Sequence, residues 1–407
     1  MLQRQFILQY HVFQASKEIT LDVQKNVFNN IVHENHVLYQ MEKRDRPNNL
    51  VRILVELHKL GATQEQLSFA YQRALLNVEH SLYRQQNKNV VIHQDNWQEF
   101  LGLSSYYGDY LIFFDRQLSL LGLEETLNTY FYSIQTSIGS QLQPLVQLAF
   151  GIENDLPEII TQALAYHASS YLDVSFILLD TDPISSSSSL FRCNDKQERF
   201  GDHILFDFIS VDPRFDGKIQ GNDTFQSTLR LLLKSKTDLI KSYMKEWINQ
   251  SMTVEERLEA LVYSTFSLFK ASSSLTSYQL DWFLAGDHLI SSILAIKQII
   301  PEKYLENWLH LQFLTMLCTF IAQGRPTFIM NNNCCCCCWN TCISNVIQNS
   351  LDDPKLILTL ASIIKLRQQF SSSFQFVEHS CLEIVNILNL FSTQNGTWIK
   401  NGLGWLN

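Results

Sequence analysis

The sequence predicts an all-α fold, a multi-helix bundle in two lobes with few or no strands. Three observations carry that expectation. Apolar residues recur at helical spacing along most of the 407 residues. Residues that start and stop helices bracket those segments. Runs with strand character are short: Val90-Val91-Ile92-His93 and Ile204-Leu205-Phe206-Asp207-Phe208 cannot make a large sheet.

In chain order, Leu50, Ile53, Leu54, Leu57 and Gly61 follow the i, i+3, i+4, i+7 pattern of a buried face and predict a helix over 49–60. Asn48 or Asn49 can cap its start, and Gly61 can end it. Thr63 and Gln66 have capping-box spacing for a second helix towards Leu82. Further helices are expected at 97–103, 106–121, 124–138, 141–152 and 157–171, with Pro157 in the first turn of the last. Thr181-Asp182-Pro183-Ile184 and the run Ser185 to Ser189 then break the pattern, and Asp212 to Gly217 is rich in turn residues. These signals divide the chain into an N-terminal lobe over 1–180, a Ser-rich linker and turn segment over 181–223, and a C-terminal lobe over 224–407. The second lobe is expected to hold helices at 224–248, 253–271, 278–299, 302–323, 341–349, 354–370 and 373–391.

Composition excludes several function classes. Hydrophobic residues make 46% and charged residues 17%, a balance that builds a core rather than a disordered chain. The net charge of −9 without a basic block argues against nucleic acid, since phosphate binding needs clustered Lys and Arg. The opening Met1-Leu2-Gln3-Arg4-Gln5-Phe6 has no long apolar run, so no signal peptide is expected. The apolar run from Phe313 to Ala322 is short of the roughly 20 residues that span a bilayer. A cytoplasmic protein without a membrane partner is the expectation. Five of nine cysteines are consecutive, Cys334 to Cys338, after Asn331-Asn332-Asn333. Adjacent residues cannot converge on one tetrahedral ion, so a low-complexity loop over 331–338 without metal is expected. Cys193, Cys318 and Cys381 read as scattered reduced thiols.

Two stretches carry most of the information. The first is Arg46-Pro47-Asn48-Asn49-Leu50-Val51-Arg52-Ile53-Leu54-Val55-Glu56-Leu57-His58-Lys59-Leu60-Gly61-Ala62. The second is Gly139-Ser140-Gln141-Leu142-Gln143-Pro144-Leu145-Val146-Gln147-Leu148-Ala149-Phe150-Gly151-Ile152-Glu153. Together they resemble the questin oxidase-like family, fungal oxidoreductases that include enzymes of anthraquinone and aflatoxin biosynthesis. The family's first motif has the form Asn-His-x-x-His-His-Leu-Leu-x-Leu-x-x-Leu-Gly-Ala, and its second His-Pro-Leu-Ile-His-Leu-Gly-x-Gly-Leu-Glu. This chain keeps the apolar frame and replaces the spaced histidines with Asn49, Arg52, Gln143 and Gln147. The resemblance continues through Trp97 to Phe114, Asp281-Trp282-Phe283-Leu284 with a displaced His288, Gly324-Arg325-Pro326, and Asp352-Asp353-Pro354-Lys355-Leu356 with its histidine missing.

The resemblance implies an oxidoreductase that acts on aromatic or polyketide-type small molecules, in Baeyer–Villiger fashion or a related oxidation, with NADPH. No Gly-x-Gly-x-x-Gly between a strand and a helix supports a dinucleotide site, so no cofactor-binding residue is assigned. Asn and Gln do not titrate and are poor ligands for transition metals, and Arg52 is permanently charged, so weak or lost activity is expected. The catalytic candidates are Arg52, Glu153 and His288. Glu153 would serve as a base if burial raised its pKa, and His288 as acid, base or ligand. Asn49, Gln143, Gln147, Tyr107 and Tyr110 are the candidates for holding an aromatic ligand. Taken alone, Asn49 reads first as a helix cap, the two glutamines as a polar face, Arg52 as a surface or ion-paired side chain, and the tyrosines as core. Three readings stay open: a rearranged oxidoreductase, a catalytically silent relative that binds a ligand, and a helical interaction protein.

Overall fold

The computed structural model describes residues 20–76, 78, 91–178, 197–327 and 338–406. The serine run 185–189 and Cys334 to Cys337 lie outside the described residues. The fold is all-α with little sheet. The helices are α1 (Thr20–Leu38), α2 (Leu50–Lys59), α3 (Gln64–Leu75), α4 (Tyr107–Tyr130), α5 (Gln143–Glu153), α6 (Pro157–Ser169), α7 (Phe225–Ser235), α8 (Thr237–Asn249), α9 (Val254–Ala271), α10 (His288–Ile299), α11 (Glu302–Ala322), α12 (Trp339–Asn349), α13 (Pro354–Phe370) and α14 (Val377–Thr393), joined by shorter turns. Strands β1 (Glu42–Lys43) and β2 (Arg46–Pro47) form a hairpin, and β3 (Ser273–Ser274), β4 (Gln279–Asp281) and β5 (Thr397–Ile399) form a small sheet.

Local signals place many boundaries. Thr63 and Gln66 form the expected capping box at α3, and Thr253 and Glu256 form another at α9. Gly61, at φ +81°, ends α2 in the left-handed region that glycine enters without strain. Pro157 stands at the first position of α6.

Tertiary contacts override local propensity elsewhere. The segment 97–103 forms only short 3-10 turns, broken at Gly102, where a Cβ would come within 2.5 Å of the Tyr171 carbonyl. The segments expected at 106–121 and 124–138 become α4, kinked at Gly122 (φ +75°) and finished at Tyr130. Beyond it the chain bonds across the fold, Ile138 N to Leu172 O and Val174 N to Thr136 O, instead of continuing the helix. The segment 224–248 divides into α7 and α8 at Lys236. Residues 278–287 are strand and turn rather than helix, because Leu280 pairs with both Ser273 and Trp398. The strand-like run Ile204 to Phe208 is helical, with Ile204 and Leu205 fully buried.

One hydrophobic cluster runs from Met41 to Phe391 and takes side chains from both sides of the 181–223 segment. Around α2 the packing is more local. Leu50, Ile53, Leu54 and Leu57 meet Ala70 and Ala74 of α3 and Ile357 of α13. Val51 joins Val32, Phe150 and Ile159 in another small cluster, where α2 comes near α5. Ile53 and Leu57 are wholly buried, and truncating either to Ala would cost about 2–5 kcal/mol.

Candidate ligand site

A cavity of about 450 Å³ opens where several separate segments meet. Arg46 and Pro47 come from the hairpin, Asn49 from the start of α2, Trp282 from the turn after β4, Asp353 and Lys355 from the start of α13, and Phe391 from the end of α14. The size suits one small ligand.

Each wall is held by identifiable bonds. Asn48, not Asn49, serves the start of α2: its Oδ1 accepts from Leu50 N at 3.2 Å, and its Nδ2 donates to Asn35 Oδ1 at 2.9 Å. Asn49 occupies the cap position without a side-chain cap bond and lines the cavity. Asp281 is wholly buried and fixes the following turn, accepting from Phe283 N, Leu284 N and Leu403 N. Burial pushes its carboxyl up to about 6, against the pull of those bonds. Asp353 caps α13 by accepting from Lys355 N and Leu356 N, and its other oxygen accepts from Trp398 Nε1 at 2.6 Å. The sheet brings Trp398 edge-on to Trp282, with centroids 5.8 Å apart.

Lys355 is buried in this wall with its ammonium 4.2 Å from the centroid of Trp282. Its stem lies against Gly286, where an added Cβ would fall 2.2 Å from Lys355 Cε. Among the described residues no carboxylate oxygen lies within 4.0 Å of the ammonium. Burial lowers its pKa to about 8, with Lys400 and Arg52 adding to the fall and Asp287 and Asp353 opposing it.

Beneath the cavity sits a buried polar network. Arg52, 5% exposed, pairs with Asp287, 1% exposed, at 2.8 Å. The Arg52 guanidinium also donates to Ser291 Oγ at 2.8 Å; Ser291 and Ser362 share a 2.7 Å bond, and Ser362 donates to Leu358 O. Burial works to raise the Asp287 carboxyl, but the charges of Arg52 and Lys355 outweigh it and hold it below the usual range. His288 is neutral at pH 7, because burial and the Lys355 charge push it down to about 3.

The sequence-derived candidates separate into three groups. Asn49, Arg52 and His288 gather around Asp287 and Lys355. Arg52 is committed to Asp287 and Ser291, while Lys355 and Arg46 are the basic side chains that line the cavity. Gln143 and Gln147 are buried on α5, which packs on α10, but neither lines the larger cavity. Glu153 stands at the far end of α5, bonded to Lys59 at 2.7 Å and to Lys365 at 3.2 Å. Burial tends to raise its carboxyl, and the two lysines pull it below the ordinary value, the opposite direction from a general base. Tyr107 and Tyr110 are buried in an aromatic layer of the core, where Tyr110 donates to Trp97 O and stacks on Phe114.

Sequence reasoning did not single out Asp287, Lys355, Trp282, Trp398, Ser291 or Ser362. Trp282 and Lys355 stood inside quoted motif segments, and Asp287 is adjacent to His288. Their motif positions were the available signal. Trp398 and the two serines carried none.

The fold and cavity define a helical protein with a concave site at the meeting point of several of its motif segments. Residues 47–341 match the Questin oxidase-like family, and the chain belongs to that family. It is 25% identical over 154 residues to the Baeyer-Villiger oxidase GME11358 of Pestalotiopsis microspora, covering 35% of this chain and 34% of that protein. It is 27% identical over 158 residues to the Baeyer-Villiger monooxygenase dmxR6 of Cryptosporiopsis sp., again covering 35% and 34%. The matched stretches thus span about a third of the length of these relatives. Among the described residues no helix is long and apolar enough to cross a membrane.

Proposed function

We propose that this chain binds an aromatic, oxygen-bearing small molecule of polyketide type in the cavity around Lys355, as a questin oxidase-like oxidoreductase relative whose turnover is weak or lost. The observation that carries this reading is the Lys355 ammonium, buried against Trp282 at the cavity wall and free of a carboxylate partner within 4.0 Å among the described residues. The indole of Trp282 suits a planar body, and the ammonium and the Asn49 amide suit its acceptor oxygens. The relatives are named for Baeyer–Villiger chemistry, which inserts oxygen beside a ketone carbonyl, so a carbonyl-bearing aromatic is the ligand class.

Weak turnover follows from the motif positions. Asn49, Arg52, Gln143 and Gln147 cannot exchange protons near pH 7, and His288 is held neutral. General acid–base assistance is worth ~10²–10⁴ in rate. The NADPH that the resemblance implies finds no cradle in the described residues. The strands are two or three residues long, and none feeds a helix through a glycine-rich turn.

The test is calorimetric binding of a hydroxyanthraquinone panel, with NADPH consumption followed in parallel. Binding without substrate-dependent consumption is expected. Lys355→Met should weaken binding by about tenfold or more, since a hydrogen bond to a charged group contributes about 1.5–3 kcal/mol. Rapid ligand-dependent consumption of NADPH would overturn the reading of weak turnover, and full-strength binding by the variant would overturn the role of Lys355.

A further inference from the structure

We propose that Lys355 is a nucleophilic amine that captures an aldehyde or ketone carbon of the cavity's ligand as an imine. The inference deepens the ligand reading above and rests on it.

The geometry has four parts. Lys355 is buried, yet it lines a cavity large enough for a reactant. Its ammonium lies on an indole face instead of in an ion pair, so no salt bridge has to break before the nitrogen reacts. Gly286 lets the stem lie flat, which fixes the position of the nitrogen. Lys355 also occupies the second position of α13, where the positive end of the helix dipole disfavours a charged amine.

Charged groups surround Lys355 from several walls. Asp287 and His288 come from the start of α10, Arg52 from α2, Asp353 from α13 and Lys400 from the segment after β5, and Arg46 of β2 and Asp352 line the same cavity. Asp287 is neutralised by Arg52 at 2.8 Å, and Asp353 is engaged by two backbone N–H groups and Trp398. Neither carboxylate pairs directly with the ammonium, although both oppose its loss of charge from a distance. With the amine lowered to about 8, about a tenth is neutral at pH 7. An ordinary lysine near 10.4 would be neutral in well under 1% of molecules.

The step balances without a redox partner. The lone pair of neutral Nζ forms a bond to the carbonyl carbon, and the C=O π pair moves to oxygen, which takes up a proton. The nitrogen loses both of its protons and the oxygen takes up a second; the nitrogen lone pair forms the C=N bond as the C–O bond breaks, and water leaves. Amine and carbonyl give imine and water.

The experiment uses the full chain with two probes, a hydroxynaphthaldehyde and the matching naphthol. Imine is reduced in place with cyanoborohydride and mapped by peptide mass spectrometry across pH 6 to 9. The expected result is labelling of Lys355 about tenfold faster than any other lysine at pH 7, with a midpoint near 8. Equal labelling of Lys355 and exposed lysines, or labelling of Lys355 that still climbs at pH 9 without levelling off, would overturn the proposal. The naphthol arm separates the two claims. If both probes bind and Lys355 is not labelled, imine formation fails alone. If neither probe binds, the ligand reading fails with it. Mapping on the unaltered chain needs no variant to fold, and Lys355→Arg should then remove the fast-labelled site.

Discussion

Arg52 illustrates how one substitution can be absorbed by a core. A guanidinium at a position that carries histidine in the family motif is a permanent charge below the surface, and its partner Asp287 arrives from more than 200 residues away in sequence. Removing one member of such a pair strands the other. Arg52→Met is expected to destabilise the fold by about 3–5 kcal/mol in urea unfolding at pH 7. The double variant with Asp287→Leu should recover much of that loss, and a double-variant cost equal to the sum of the two single costs would show that the two charges are not coupled. The sign with pH is defined. Asp287 is held below its usual value, so its contribution is present above the unfolded carboxylate pKa and is lost as pH falls through the folded one. The advantage of the parent chain over Arg52→Met should accordingly shrink in strong acid.

At the scale of elements, the turn between β4 and α10 does more than connect them. Asp281 ties it to the C-terminal segment through Leu403 N, and Trp282 N bonds to Ile399 O at 2.8 Å. The turn also carries Gly286, the floor beneath Lys355. Gly286→Ala would set a Cβ 2.2 Å from Lys355 Cε and 2.6 Å from the Trp282 carbonyl. The side chain can swing away and the carbonyl cannot, so overpacking should cost about 1–3 kcal/mol. Loss of hydroxyanthraquinone binding and a changed tryptophan emission are the expected readouts. A variant with unaltered binding and emission would mean that Lys355 does not depend on this floor.

For the whole molecule, burial sets the pH response. His167 and His310 are pushed down to about 4 by burial, and His288 to about 3. Each is neutral when folded and takes a proton on unfolding below about pH 6.5, so each lowers stability as pH falls towards its folded value. Asp202 and Asp281, pushed up to about 6 by burial, act in the opposite sense. The net slope mixes both, and a difference isolates one group. His167 packs against Phe131 at 5.0 Å and is 7% exposed. Relative to His167→Phe, the parent chain should lose up to about 3 kcal/mol between pH 6.5 and 4. Any constant offset from the change in size drops out of that comparison. Parallel stability curves for the two chains would refute it.

Helices were legible in the sequence because their causes are local. Leu50, Ile53, Leu54 and Leu57 sit one turn apart, Thr63 meets Gln66 three residues on, and Gly61 enters a conformation that other residues resist. The family resemblance was legible for the same reason, since its motifs are continuous runs. Those runs also located two walls of the cavity, at Asn49 and Lys355, without revealing which side chain would hold a free charge. That depended on pairings no periodicity encodes. Arg52 is satisfied by Asp287 and Lys355 is not; Glu153 is claimed by Lys59 and Lys365. The strands were hidden likewise, because Gln279 to Asp281 become strand only when residues 273–274 and 397–399 supply their hydrogen bonds. Charge, desolvation and sheet pairing are properties of neighbours, and the neighbours here are separated by up to hundreds of residues until the chain has folded.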